Sequence, residues 1–275
     1  MINLENRIEK IFKNLKSANK KAFISFSTAG FPEEDTSLEI IKSIADSGAH
    51  IHEISVPHAE AQADGPIIQL ANIESIKNGI NFNKVINIAK EVRKYNQEIG
   101  LVMMGYLNNI FIYGIEKFAN EVGGIIDGVI CVDLPADVIE ENELKQALKK
   151  ENIALIKLIT PTTSDERIKE LVKNAEGFIY SVNVAGITGV KNAEIDKVNS
   201  QIERIKRYTD IPVAAGFGIK TPEDVKNFSK SNADGVIIGS AIVEKIQEVS
   251  KKNKDKYDIA NFVKDFCKEL IANLN

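Results

Sequence analysis

Short apolar runs rich in β-branched residues alternate along the chain with longer stretches whose apolar positions recur every three to four residues. The runs read AFISFST, IHEISV, GLVMM, DGVICVD, IALIKLI, GFIYSVN, IPVAAG and DGVIIG, eight in all. Their length and flanking turn residues predict strands, and the intervening stretches, such as DTSLEIIKSIADSG and FNKVINIAKEVRKYN, predict amphipathic helices. Helix starts are marked: Thr163 with Glu166 has the spacing of a capping box, and Thr221-Pro222 places proline at a first helical position. Alternation of this kind implies a parallel sheet with helices on its outside. Eight such units without a linker or a break in composition favour a closed α/β barrel of the (β/α)8 (TIM) type over an open sheet, with residues 1–275 as a single domain. Leu4, Ile8, Ile11, Phe12 and Leu15 share one helical face, so an additional N-terminal helix is expected before the first strand. Residues 258–272 predict a final helix.

Composition narrows the function classes. A chain of 275 residues fits one barrel, and an apolar fraction of 44% is ordinary for a globular protein. The formal charge of −4, with no basic block beyond pairs such as Lys149-Lys150 and Lys251-Lys252, gives no support to nucleic-acid binding. Cys131 and Cys267 lie far apart with no CxxC spacing, so buried thiols are expected rather than a disulfide framework. The opening MINLENRIEKIFKNL mixes charge with apolar residues and lacks the continuous apolar core of a signal peptide. No apolar run approaches the ~20 residues that cross a bilayer. A cytoplasmic protein is expected.

In such barrels the active site is built where the strands end. After the seventh run comes GFGIKTPEDV and after the eighth GSAIVEKI. Gly216 and Gly218 allow a ligand close to the backbone, and Gly239-Ser240 opens a helix whose first N–H groups are free to bind an anion. A phosphoester cradle at these two loops is the expectation, against plain turn glycines. In IHEISVPHAEAQADGP, Glu53 sits among Ile51, Ile54 and Val56, and the following loop carries His58, Glu60 and Asp64. A Glu53 pointing into the barrel is a desolvated carboxyl suited to proton transfer, and Asp64 in an unlike setting can hold the other protonation state; the bland alternative is a salt-bridged Glu53 and a turn-capping Asp64. His50 and His52 begin the strand on the face opposite Glu53, so no metal site is expected there. His58 stands as a candidate polar contact. Lys157 raises a Schiff-base aldolase as a second reading, against a lysine paired with a carboxylate.

EISVPHAEAQADGPIIQLAN, MGYLNNIFIYGIEKF, DLP at 133–135, TPTTSDERI, GFIYSVNVAGITG, PVAAGFGIKTPEDV and ADGVIIGSAIV together resemble, in order and over nearly the whole chain, the tryptophan synthase α-subunit family. The resemblance implies a TIM barrel that cleaves indole-3-glycerol phosphate to indole and glyceraldehyde 3-phosphate, in tryptophan biosynthesis, without cofactor, Schiff base or metal. It implies that Glu53 protonates indole C3, that Asp64 bonds the indole N–H, and that Tyr180 lines the pocket. It implies that Thr188 belongs to a closing loop and that Gly189, Gly218, Gly239 and Ser240 hold the phosphate. It also implies a β-subunit partner in a heterotetramer. The sequence departs from the family pattern at Phe31, Ser55, Val184 and the segment His58-Ala59-Glu60-Ala61-Gln62. Losing the proline at Ala61 is expected to free the backbone before Asp64, and Phe31 and His58 are expected to reshape the pocket mouth. A barrel that mainly binds a partner is the third reading, of a different class.

Overall fold

The computed structural model describes residues 5–182, 192–216 and 218–274, the side chains of 192–194 excepted. Leu4, Val184, Thr188 and Gly189 lie outside the described residues. Every strand pair is parallel, as the run-and-helix alternation requires. The strands are β1 (Ala22–Thr28), β2 (Ile51–Ser55), β3 (Gly100–Gly105), β4 (Gly128–Cys131), β5 (Ala154–Leu155), β6 (Lys157–Ile159), β7 (Ile179–Val182), β8 (Val213–Gly216) and β9 (Gly235–Ile238). Their spatial order is β5-β4-β3-β2-β1-β9-β8-β7-β6.

The fifth predicted strand is where the observed sheet differs from the expected eight. It divides at Ile156 into β5, which pairs with β4, and β6, which pairs with β7. The division has a geometric reason. One run must satisfy neighbours on both sides of the ring, and its first half turns to β4 while its second turns to β7. Ile156 keeps a ladder bond, its N–H donating to Val129 at 3.0 Å. This run therefore bridges β4 and β7 and brings the ring close to closure.

Helices follow the strands on the outside: α2 (Glu34–Asp46), α3 (Pro66–Lys77), α4 (Phe82–Tyr95), α5 (Leu107–Tyr113), α6 (Ile115–Val122), α7 (Ile139–Lys150), α8 (Asp165–Lys173), α9 (Asn192–Lys206), α10 (Pro222–Phe228) and α11 (Ser240–Lys252). The expected final helix is α12 (Lys256–Ala272). Thr221 caps α10 in a full capping box with Asp224. The box read at Thr163 and Glu166 is displaced: α8 begins one residue later, Ser164 accepts from the Arg167 N–H, and the Thr163 hydroxyl accepts from Thr160 instead.

The additional N-terminal helix is α1 (Arg7–Ser17). Its apolar face (Ile8, Phe12 and Leu15) joins Ile24, Ile51, Val102, Ile130, Ile156 and Phe178 in the smaller apolar cluster, which fills the barrel interior. Phe12 and Phe178 pack with ring centroids 5.7 Å apart. A larger cluster lies between the strands and the outer helices. Polar anchors hold the plug. Asn6 caps α1 and its amide donates to Asp127 O at 2.9 Å and Asn152 O at 2.7 Å. The Asp127 carboxylate, itself buried, receives Arg7 at 2.6 Å, Arg93 at 2.7 Å and the Leu101 N–H at 2.8 Å.

Removing one partner from a buried ion pair strands the other charge in low dielectric. Asp127→Ala leaves the buried Arg93 guanidinium without its counter-charge. We expect a loss of about 3–5 kcal/mol in unfolding free energy by urea titration of the full chain; a change below about 1 kcal/mol, the range of exposed pairs, would show that the network is not holding the plug.

Candidate active site

Glu53 sits in the middle of β2, opposite Phe26 on β1 and Val102 on β3. Side chains alternate along a strand, and Ile51, two residues before it, lies in the interior cluster, so Glu53 projects into the barrel. It is fully buried, and neither carboxylate oxygen has a hydrogen-bond partner. Burial alone pushes its carboxyl up to about 8. The salt-bridged alternative is thereby removed. At neutral pH this carboxyl keeps its proton in the desolvated interior, the state a general acid needs.

Tyr180 on β7 projects into the same space. A β-carbon on Gly216 of β8 would lie 3.0 Å from its hydroxyl, so the ring rests directly over that glycine. The phenol is held far above its usual range by burial, then by the charges of Glu53 and Asp64. Those interactions bring together three of the residues singled out in the sequence. Tyr180 stays a neutral donor beside two carboxyls.

Asp64 is half-buried on the loop after β2. Burial holds its carboxyl above the ordinary value, and a hydrogen bond from Asn72 at 3.2 Å and the nearby His58 offset only part of that rise. The two carboxyls thus sit in unlike settings, which lets one stay protonated while the other ionises. The loop carries hydrogen bonds of its own. The Asp64 N–H donates to Ala61 O at 3.0 Å, and the Gln69 amide reaches Ala61 O at 3.2 Å and Asp64 O at 2.9 Å. Ala61 is buried despite the missing proline. His58 lies on the Tyr106 ring, centroids 4.3 Å apart and planes 28° from parallel. Phe31, expected at the pocket mouth, is instead buried in the larger apolar cluster.

At the far side of the rim, Gly239 precedes α11 with no side-chain cap, leaving the first-turn N–H groups of Ser240 onward free. A β-carbon at Gly239 would come within 3.3 Å of the Phe26 ring. Gly218 has φ +58, the left-handed region glycine favours. No acidic residue occupies the first turn of α11. Uncapped donors, a favourable dipole end and no negative side chain are the features that anion binding at a helix start requires.

Two sequence alternatives end elsewhere. Lys157 faces outward from β6 and is ion-paired to Glu141 on α7, so it cannot condense with a carbonyl inside the barrel. The Schiff-base reading falls because the neighbours Ile156 and Leu158, not Lys157, belong to the interior cluster. His52 is also on the outer face, buried between the Ser25 and Ser27 hydroxyls at 2.8 and 3.0 Å and held neutral by burial, which lowers it to about 3. His50 accepts the Phe23 N–H at 2.9 Å. Among the described residues no three His, Cys, Asp or Glu side chains gather as metal ligands. A cavity of about 1140 Å³ lies at the opposite end, lined by residues such as Lys13, Lys21, Glu176 and Asp234; it is remote from Glu53 and is not the reaction site. Asn72, Phe26 and Tyr106 were missed at the sequence level. Asn72 left one trace, a polar residue amid the apolar helix PIIQLANIESIK.

The fold and site define a class: a TIM barrel with a fully buried, unpartnered carboxyl in its interior and an uncapped helix start on its rim. The sequence pattern of the family described as tryptophan synthase alpha chain matches residues 12–272. The tryptophan synthase alpha chain of Legionella pneumophila subsp. pneumophila is 31% identical, with a TM-score of 0.87 over 98% of this chain and 97% of that one. A structure from Aquifex aeolicus VF5 is 34% identical, with a TM-score of 0.84 over 98% of this chain and 100% of its own. Mycobacterium tuberculosis tryptophan synthase is 25% identical, at TM-score 0.86 over 98% of each chain. The chain belongs to the tryptophan synthase alpha chain family. It is a carbon–carbon lyase by family.

The burial of Glu53 has a signature in stability. Its folded carboxyl titrates near 8 and its ordinary value is 4.5, so between those limits the folded state holds a proton that the unfolded state has lost. Stability therefore falls as pH rises through this window, at up to about 1.4 kcal/mol per pH unit. Glu53→Gln removes the titration. Urea unfolding between pH 4.5 and 8 should show the variant gaining on the native chain at about that slope; parallel curves would mean that Glu53 is solvated.

Proposed function

We propose that the chain cleaves indole-3-glycerol phosphate with Glu53 and Asp64 as its acid–base pair, the observation carrying this being a fully buried, unpartnered Glu53 facing Tyr180 and Asp64. The Glu53 carboxyl gives its proton to indole C3. Positive charge then develops on the ring, and the Asp64 carboxylate accepts a hydrogen bond from the indole N–H and stabilises it. Glu53, now ionised in a site that favours its neutral form, takes the proton from the hydroxyl on the carbon attached to C3. That carbon becomes an aldehyde as the C–C bond breaks, and the bonding pair returns to the ring. The net change moves one proton from the hydroxyl to C3 and needs no cofactor or metal.

The phosphate end of the substrate is placed on the N–H groups at Gly218, Gly239 and Ser240, supported by the uncapped start of α11. Thr188 and Gly189 take the roles the family resemblance gives them, loop closure and phosphate contact. A single domain, 1–275, in the cytoplasm accommodates this reading; no helix among the described residues is long and apolar enough to cross a membrane. The partner is a tryptophan synthase β chain. Exposed Phe111 and Ile112 on α5 and Ile139 at the start of α7 support that docking, because they follow strand ends on the same rim as the second loop.

The test is indole release from indole-3-glycerol phosphate. Glu53→Gln keeps the shape without the proton and should lower turnover about 10²- to 10⁴-fold. Gly239→Asp sets a charge against the phosphate and should act mainly on KM. Near-native turnover in Glu53→Gln sinks the assignment.

Coupling to the partner is tested at the altered loop. Restoring residues 58–62 to phenylalanine, serine, aspartate, proline and an apolar residue should tighten β-chain binding by roughly 5- to 150-fold, the span of about 1–3 kcal/mol at an interface contact. Equal affinities in a β-chain titration of both loops would make these substitutions neutral to assembly.

A further inference from the structure

Helix α3 reads PIIQLANIESIK, and its buried face carries Ala71, Asn72 and Ser75. Asn72 is 1% exposed. Its amide nitrogen donates to the Asp64 carboxylate at 3.2 Å, while its amide oxygen is buried without a partner. A leucine has the same branched shape and would leave no orphaned oxygen. The amide is thus retained against the interest of the fold. Its orientation is dictated by chemistry, since an ionised carboxylate accepts only from the amide's NH₂ end.

The main chain beside Asp64 is braced from another direction. The Ala63 N–H donates to the Tyr106 hydroxyl at 3.0 Å. Tyr106 stands just before α5 and is covered by the His58 ring, whose Nδ1 accepts the Glu60 N–H at 3.1 Å. One contact fixes the carboxylate, and the other fixes the backbone that carries it.

We propose that Asn72 is a positioning residue that holds the Asp64 carboxylate toward the bound indole, with the His58–Tyr106 stack bracing the loop behind it. The proposal rests on the reading of Asp64 as the charge-stabilising group. The Asn72 bond also favours ionised Asp64 against its burial. The titratable groups that face Asp64 are His58 on its own loop, Tyr106 after β3 and Tyr180 on β7, with Glu53 on β2 reaching the same phenol.

The experiment compares the native full chain with Asn72→Leu in indole release, across pH and with thermal melting. Asn72→Leu should lower kcat about 10- to 100-fold, the scale of a misplaced catalytic group, with little change in KM. The acid limb of the pH profile should move to higher pH, because ionised Asp64 loses its donor. The melting temperature should stay level or rise. His58→Ala should lower kcat several-fold, and His58→Phe, which keeps the stack, should restore it. A native chain that releases no indole overturns the lyase reading and this proposal with it. An active native chain, with kcat and acid limb unchanged in Asn72→Leu, overturns this proposal alone. So does a variant that melts lower or fails to fold, because the amide would then serve the structure.

Discussion

A ring of parallel strands has to close on itself, and in this protein the closure falls on one short run. Ile153 to Ile159 gives its first half to β4 and its second to β7, with Ile156 as the joint. Were the sheet left open, water would reach its inner face. Closure makes the interior dry, and dryness is what turns a glutamate into an acid at neutral pH. The chemistry at Glu53 is therefore a property of the whole ring more than of any hydrogen bond the side chain makes, since it makes none.

The lower end of the ring needs its own seal. Helix α1 supplies an apolar plug, and the Asp127 carboxylate ties it to β3 and α4 through Arg7, Arg93 and the Leu101 N–H. Here a buried charge is well satisfied and serves stability. Apart from the backbone ladder of the sheet, this is the polar network on which the closed base rests. Among the described residues, the buried side-chain atoms without partners include both oxygens of Glu53, the Thr28 hydroxyl and the Asn72 amide oxygen, beside the Ser75 hydroxyl on α3 and the Gln201 amide on α9. Buried polar atoms without partners oppose folding, and the two on Glu53 lie on one carboxyl that faces the barrel interior.

The rim divides its labour in space. Glu53 and Tyr180 come from strands on opposite sides of the ring, β2 and β7, while the uncapped start of α11 lies after β9. An elongated molecule with a flat aromatic end and an anionic end fits such a layout. The second loop, which departs from the family pattern, carries hydrogen bonds through Gln69 and a ring stack at His58.

Much of this was legible in the chain itself. Periodicity alone located the strands, the plug helix and the final helix, because burial on one or both faces writes its period into the sequence. Gly239-Ser240 and Glu53 stood out because a helix start and a carboxyl among aliphatics are local chemical signals. The side a residue faces was harder to read. Lys157 and Glu53 look alike in sequence, each an ionisable group within an apolar run, yet strand pairing turns one outward to Glu141 and the other into the cavity. Phe31 went to the core instead of the pocket, and Asn72 reached Asp64 from eight positions away, for the same reason. Local sequence sets period, propensity and charge; only the closed ring decides which groups lose water and which find each other, because desolvation and long-range contact belong to the assembled barrel.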